Sequence, residues 1–240
     1  MSEIIRPTKE TLEKLKKIPV SSALGHLRPI GNSCYMDRKI RPLQPDTVFA
    51  GPALTVRWVA YREDVKESYS YDKMYDVADM IKPNDVVVID AMGLMRGEVG
   101  IWGDCIMTGL VSKGASGIVV DGLIRDGATI RRFGYPVFCR GVSPILPRGT
   151  IIPAEINTPI NCGGVYVRPG DVILADYDGV LVIPREMADK VAEEASKRED
   201  FEETVLFMLR HGEPLRGSYP PDINSERYKK YEAMRKPQQT

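Results

Sequence analysis

Apolar residues recur in two rhythms along the chain, one helical and one strand-like, and the places where the rhythm changes mark its elements. Leu12 and Leu15 stand about one turn apart among charged neighbours, which predicts a short helix over residues 8–17 with Thr8 as its cap. A second short helix fits Pro19 to Leu27. After a region punctuated by proline and glycine, Ala53 to Val59 reads as a strand. Asp72 to Ile81 reads as a helix, and Val86 to Ile89 is a continuous apolar run suited to a buried strand. The spacing through Cys105, Ile106, Met107, Leu110 and Val111 predicts a helix that begins near Asp104. Gly117 to Val120 is again strand-like, and Gly127 to Phe133 helical.

Downstream, strand signals dominate at Pro136–Cys139, Gly164–Val167, Val172–Ala175 and Val180–Ile183, separated by glycine, proline and aspartate turns. From Pro184 to Arg210 a long helical pattern runs through Met187, Val191, Ala195, Val205, Met208 and Leu209. Helices alternating with strands, then a run of strands, predict a mixed α/β layered domain. We expect one domain over residues 1–217, followed by an extended polar tail over 218–240 that reaches onto a neighbouring subunit.

Two stretches repeat one design: Lys82-Pro83-Asn84-Asp85 leads into Val86–Asp90, and Arg168-Pro169-Gly170-Asp171 into Val172–Asp176. Each is a proline turn feeding a buried strand that closes on aspartate, which duplication and common turn chemistry explain about equally. The segment Tyr61 to Tyr75, with Tyr69 and Tyr71 among charged residues, is too polar for core. It fits a lid, a subunit contact or a solvated loop.

Composition narrows the functions. Lysine plus arginine and aspartate plus glutamate number 33 each, so the formal charge is zero and nucleic acid is not an expected partner. Cys34, Cys105, Cys139 and Cys162 show no C-x-x-C spacing, and no signal-like segment follows Met1-Ser2-Glu3, so the chain reads as cytoplasmic with reduced thiols. No apolar run approaches the roughly 18 residues of a membrane span. Histidine occurs only at His26 and His211, which excludes a histidine-rich zinc site. His26 lies among small apolar residues and reads as structural; His211 reads as a helix terminus.

The candidate chemistry lies in Trp102-Gly103-Asp104 and Ile124-Arg125-Asp126, with residues 105–124 between them. Asp104 and Asp126 each stand where a helix begins and can cap it. If the two turns meet, a small anion fits between the N–H groups of Cys105 and Ile106 and the guanidinium fork of Arg125. Each feature alone has a plainer reading, as a helix cap or a surface ion pair.

These residues, together with Val119-Val120-Asp121-Gly122-Leu123, Phe133-Gly134-Tyr135-Pro136-Val137-Phe138-Cys139-Arg140-Gly141, Val167–Asp171 and Asp176-Tyr177-Asp178-Gly179-Val180, resemble the RraA-like family over about Val86 to Pro184. That family holds the regulator of ribonuclease E activity A and the class II pyruvate aldolases acting on 4-hydroxy-4-methyl-2-oxoglutarate and 4-carboxy-4-hydroxy-2-oxoadipate. The resemblance implies a layered β/β/α fold of the swivelling-domain type with a long C-terminal helix. It assigns Asp126 to a magnesium or manganese ion, and Arg125 to the pyruvyl carboxylate and oxygen. Gly103, Asp104, Cys105 and Ile106 would bind substrate beside it, with Asp104 acting through metal-bound water.

The implied reaction is retro-aldol cleavage of a 4-hydroxy-2-oxo di- or tricarboxylic acid to pyruvate, with oxaloacetate decarboxylation as a related activity. The resemblance also implies a homotrimer or homohexamer in which an acidic residue of the C-terminal helix, Glu199 or Glu202 here, serves the neighbouring subunit. The alternatives are a non-catalytic ribonuclease regulator and a dehydratase or decarboxylase acting on a sugar acid. The tyrosine-rich segment, the turn Gly97-Glu98-Val99-Gly100 and the tail after Gly217 depart from the family pattern.

Overall fold

The run Val86–Ile89 is apolar at every position because both faces of its strand are covered, as a computed structural model describing residues 4–28, 30–64, 70–91 and 98–236 shows. In chain order the elements are α1 (Lys9–Leu15), α2 (Val20–Gly25), β1 (Arg41–Pro42), β2 (Phe49–Ala60), α3 (Lys73–Met80), β3 (Val86–Asp90), α4 (Asp104–Ser112), β4 (Gly117–Asp121) and β5 (Leu123–Ile124). There follow α5 (Gly127–Phe133), β6 (Val137–Cys139), β7 (Gly141–Val142), β8 (Ile151–Ile156), β9 (Ile160–Cys162), β10 (Val165–Val167), β11 (Val172–Asp176), β12 (Gly179–Ile183), α6 (Ala188–Arg210) and α7 (Glu226–Arg235). Tyr69 and Gly97 lie outside the described residues.

The main sheet runs β1-β6-β4-β3-β2-β11-β12, with β8 also on β2, and curls into a nearly closed, barrel-like form. The long β2 makes this possible. Its first residues pair antiparallel with β11, Ala53–Arg57 pair parallel with β3, and Val56–Ala60 pair antiparallel with β8. Alternate residues then face two layers. Val86, Val88, Val119, Ile173 and Val182 pack inside the curl with Phe49 and Phe138. Val87, Ile89, Ile118 and Val120 pack outward with Met107, Leu110 and Ile130 of α4 and α5. Leu174, Leu181 and Ile183 face α1, α2 and the first half of α6 through Leu12, Leu15, Val20, Ala23, Val191 and Ala195. This is the expected mixed α/β architecture with its long C-terminal helix.

Local signals explain the boundaries. Thr8 caps α1 by accepting the Thr11 N–H at 3.1 Å. His26 follows α2 and has its Nδ1 3.6 Å from Glu194. His211 ends α6 with its Nδ1 2.8 Å from the Phe207 carbonyl. Among the described residues, no helix is long and apolar enough to cross a membrane.

The segment after Gly217 differs from the extended tail expected of it, because Glu226–Arg235 is helical and packs on the second half of α6. Ser225 caps α7 by accepting the Tyr228 N–H at 3.2 Å, and Tyr228 joins Val205 and Met208 in a small separate core. Arg235 adds bonds to Asp200, Glu203 and Thr204. A capping serine followed by acidic Glu226 is the signal that proline-rich, polar composition concealed.

Candidate active site

The two turns meet because the chain before α4 runs beside the chain before α5. Ile101 N–H donates to Leu123 O at 3.0 Å, and Arg125 N–H to Trp102 O at 2.8 Å. Asp104 and Arg125-Asp126 thus stand together beyond the C-terminal ends of the adjacent parallel strands β3 and β4, the edge where open α/β sheets bind ligands.

The aspartates differ from simple caps. Gly103 occupies the cap position of α4, and Asp104 is its first helical residue. Asp126 precedes α5 in a left-handed conformation (φ 56°, ψ 33°) and makes no side-chain capping bond to it. Its Oδ2 instead faces the start of α4, 3.4 Å from the Asp104 N–H. A Cβ on residue 103 would lie 2.1 Å from that oxygen, so only glycine lets the carboxylate approach. The Cys105 N–H, expected to be free for an anion, donates to Asp104 Oδ1 at 2.7 Å. The Ile106 N–H lies in the first turn and has no intrahelical acceptor.

Arg125 is weakly engaged. Its Nη2 is 4.0 Å from Asp126 Oδ1, and its buried Nε has no partner among the described residues. A cavity of about 300 Å³ holds Gly103, Asp104, Cys105, Ile106, Arg125 and Asp126 on its polar side. The remaining wall comes from Ile101 and Trp102 just before α4 and, from far along the chain, Trp58 on β2, Tyr71 before α3, Met74 on α3, and Leu146, Pro147 and Arg148 before β8. Tyr71 belongs to the tyrosine-rich segment, which had a lid among its readings, and nothing in the sequence pointed to Arg148. The Asp104 carboxylate beside the Cys105 thiol pushes that thiol up, and burial pushes the Tyr71 hydroxyl up, so both stay protonated near neutrality. Among the described residues, Asp104 and Asp126 are the carboxylates of the lining.

These oxygens suit a hard cation. Magnesium is held by one or two protein carboxylates and keeps positions for water and substrate oxygens. Among the described residues no group of three His, Cys, Asp or Glu is arranged as a metal site, so the chain offers an open pair of carboxylates, not a closed cage. Glu199 and Glu202 do not line the cavity within one chain. Glu202 pairs with Arg198 at 2.9 Å, while Glu199 Oε1 is buried without a partner among the described residues.

Known proteins similar to this chain point to one family. The family model described as RraA-like, Aldolase/RraA, matches residues 20–182. A protein of Halalkalibacterium halodurans provisionally named a 4-hydroxy-4-methyl-2-oxoglutarate aldolase is 38% identical over 160 residues, 67% of this chain and 71% of that protein. Streptomyces coelicolor RraAS2, described as an unusual member of the RNase ES inhibitor RraA protein family, superposes with a TM-score of 0.74 at 30% identity, covering 84% of this chain and 98% of that one. An uncharacterized Pseudomonas syringae protein shares the fold at a TM-score of 0.78 and 22% identity, covering 91% of this chain and 96% of its own. With the matched region spanning both turns and the sheet that joins them, the chain belongs to the RraA-like family.

Proposed function

We propose that the protein is a divalent-metal-dependent carbon–carbon lyase that cleaves a 4-hydroxy-2-oxo acid and releases pyruvate. The observation that carries this reading is the meeting of Arg125, Asp104 and Asp126 in one cavity, with the arginine only loosely paired.

Asp126 would hold magnesium or manganese, with Asp104 beside it. When bound, the ion supplies Lewis-acid polarisation of the 2-oxo group. The Arg125 fork binds the 1-carboxylate and the 2-oxo oxygen, and the Ile106 N–H adds a donor at the helix terminus. Cleavage removes the 4-hydroxyl proton, turns the C4–O bond into a carbonyl, and leaves the C3–C4 electron pair as an enolate. Charge then grows on the oxygen facing Arg125, so the arginine binds the transition state more tightly than the ground state. Asp104, a carboxylate of the lining beside Arg125, is the candidate acceptor of the 4-hydroxyl proton, directly or through water. Protonation of C3 completes pyruvate. Decarboxylation of oxaloacetate generates the same enolate and follows from the same contacts. Glu199 or Glu202 would join the site from a second copy of the chain.

The test is release of pyruvate from 4-hydroxy-4-methyl-2-oxoglutarate and from oxaloacetate, read by a coupled dehydrogenase with added magnesium or manganese. Activity should vanish with a chelator and return with the metal. No turnover across a panel of 2-oxo acids, with or without metal, removes the lyase reading and leaves a regulator of the kind RraAS2 is described as belonging to.

A further inference from the structure

Arg148 lines the same cavity as Arg125 and forms no ion pair with a carboxylate of the described residues. Its guanidinium carbon lies 6.0 Å from the centre of the Tyr71 ring, at the edge of the cation–π range. The turn that carries it is built, not loose. Thr150 and Ile151 N–H groups both donate to Pro147 O, at 3.0 and 3.1 Å. The Tyr71 hydroxyl reaches the Pro147 and Ile151 carbonyls at 3.0 and 2.7 Å, gripping the turn from 76 residues away. An exposed arginine usually loses side-chain entropy when it takes a ligand, and a fixed turn at the cavity rim reduces that cost.

Trp58, Met74, Ile101, Trp102 and Leu146 of the same lining are apolar and offer contact area without charge. The complement of such a cavity is a short carbon chain that is anionic at both ends.

We infer that Arg148 is a specificity-determining residue that binds a second carboxylate at the far end of the substrate, with Tyr71 as its positioning residue. The inference rests on Arg125 binding the 2-oxo acid head. A mono-acid of equal length meets no repulsion at Arg148; it lacks one charge-assisted contact, so selectivity arises from gain on the di-acid.

Both tryptophans of the chain, Trp58 and Trp102, line the cavity, so intrinsic fluorescence reports binding directly. The experiment titrates 2-oxoglutarate and 2-oxopentanoate, matched in length, into the full-length protein in magnesium-containing buffer. The wild type should bind the di-acid about tenfold more tightly, the size of one such contact. Arg148→Ala should close the gap by weakening 2-oxoglutarate alone, and Arg148→Lys should keep part of it. Tyr71→Phe should weaken 2-oxoglutarate while leaving 2-oxopentanoate unmoved, which general loosening of the fold would not do. Arg125→Ala should weaken both ligands alike.

Equal binding of the two acids by the wild type, or a gap that survives Arg148→Ala, overturns the assignment. Failure of both ligands to bind overturns it together with the role of Arg125. An Arg148-dependent gap in a protein that releases no pyruvate leaves Arg148 in place and removes only the lyase reading.

Discussion

Asp85 and Asp171 open β3 and β11, whereas Asp104 and Asp126 follow the far ends of β3 and β4, and the two pairs spend their oxygens differently. Asp85 is fully buried and accepts from the Lys82 N–H at 3.0 Å and from both ends of the Arg6 fork at 2.8 Å. Asp171, 4% exposed at its side chain, accepts from the Arg168 N–H at 2.8 Å, from the Arg168 guanidinium and from the Arg185 N–H. Asp126 is 36% exposed, with one long contact to a backbone N–H and an arginine 4.0 Å away. A turn aspartate saturated by its own surroundings holds the fold; one left with open lone pairs at a cavity is available to a ligand.

The largest effect expected from this contrast falls on the open pair. Arg125→Ala and Asp126→Ala should each lower kcat/KM for pyruvate release by about 10³-fold or more, the scale of losing a preorganised charge in a transition state. Unfolding free energy should stay within about 0.5 kcal/mol of wild type for Arg125→Ala, as for changes that break no saturated contact, and fall by about 1 kcal/mol for Asp126→Ala, whose left-handed backbone suits alanine less well. A loss of about 3 kcal/mol in either variant alongside the lost activity would erase the distinction between the two classes.

Asp85→Ala is the converse. It removes the carboxylate on which Arg6 and the Lys82 N–H converge, and breaking a buried pair on one side costs about 3 kcal/mol or more. Denaturant unfolding should show that loss, while kcat/KM measured well below the melting transition stays near wild type. Asp85→Asn, which keeps one acceptor, should recover part of the stability.

Much of this was legible in the chain, because turn chemistry is local. The repeated Lys82–Asp85 and Arg168–Asp171 turns do share one construction: an aspartate carboxylate bonds the N–H of the residue three positions earlier, and the third residue has positive φ. The meeting of Asp104 with Arg125-Asp126 was expected from the resemblance and is present. The site's far wall was not legible, since Trp58, Tyr71 and Arg148 converge only through the curl of β2 and its pairing with β8. The left-handed backbone at Asp126 was also hidden, because no residue type announces it as glycine would. The tail is misleading because its proline-rich, polar composition hides the single helix-capping serine at 225.

The shared turn can be separated at its third residue. Asn84 has φ 73° and Gly170 φ 88°. At Gly170 a Cβ would also lie 2.7 Å from the Ile5 carbonyl, a backbone atom that cannot simply rotate away. Gly170→Ala should therefore cost about 2 kcal/mol or more, and Asn84→Ala about 1 kcal/mol from the left-handed strain alone. Equal losses in thermal unfolding would mean that the Ile5 contact relaxes freely.

The smallest effect separates the second turn from the first by pH. The hydrogen bond from Arg168, with further help from Arg185, holds the Glu186 carboxyl down to about 2. A carboxylate whose folded pKa is depressed stabilises the fold above its unfolded value of about 4.5 and loses that contribution as pH falls from there towards about 2. Glu186 is 58% exposed at its side chain, so solvent screening limits the effect to less than about 1 kcal/mol. Glu186→Gln should remove this share of the acid-side slope of unfolding free energy and change stability at pH 7 only slightly, with added salt shrinking the difference further. An unchanged slope between pH 5 and pH 2 would mean that Asp171 alone holds Arg168, which would bring the second turn closer to the first, where Asp85 and Arg6 form one buried pair.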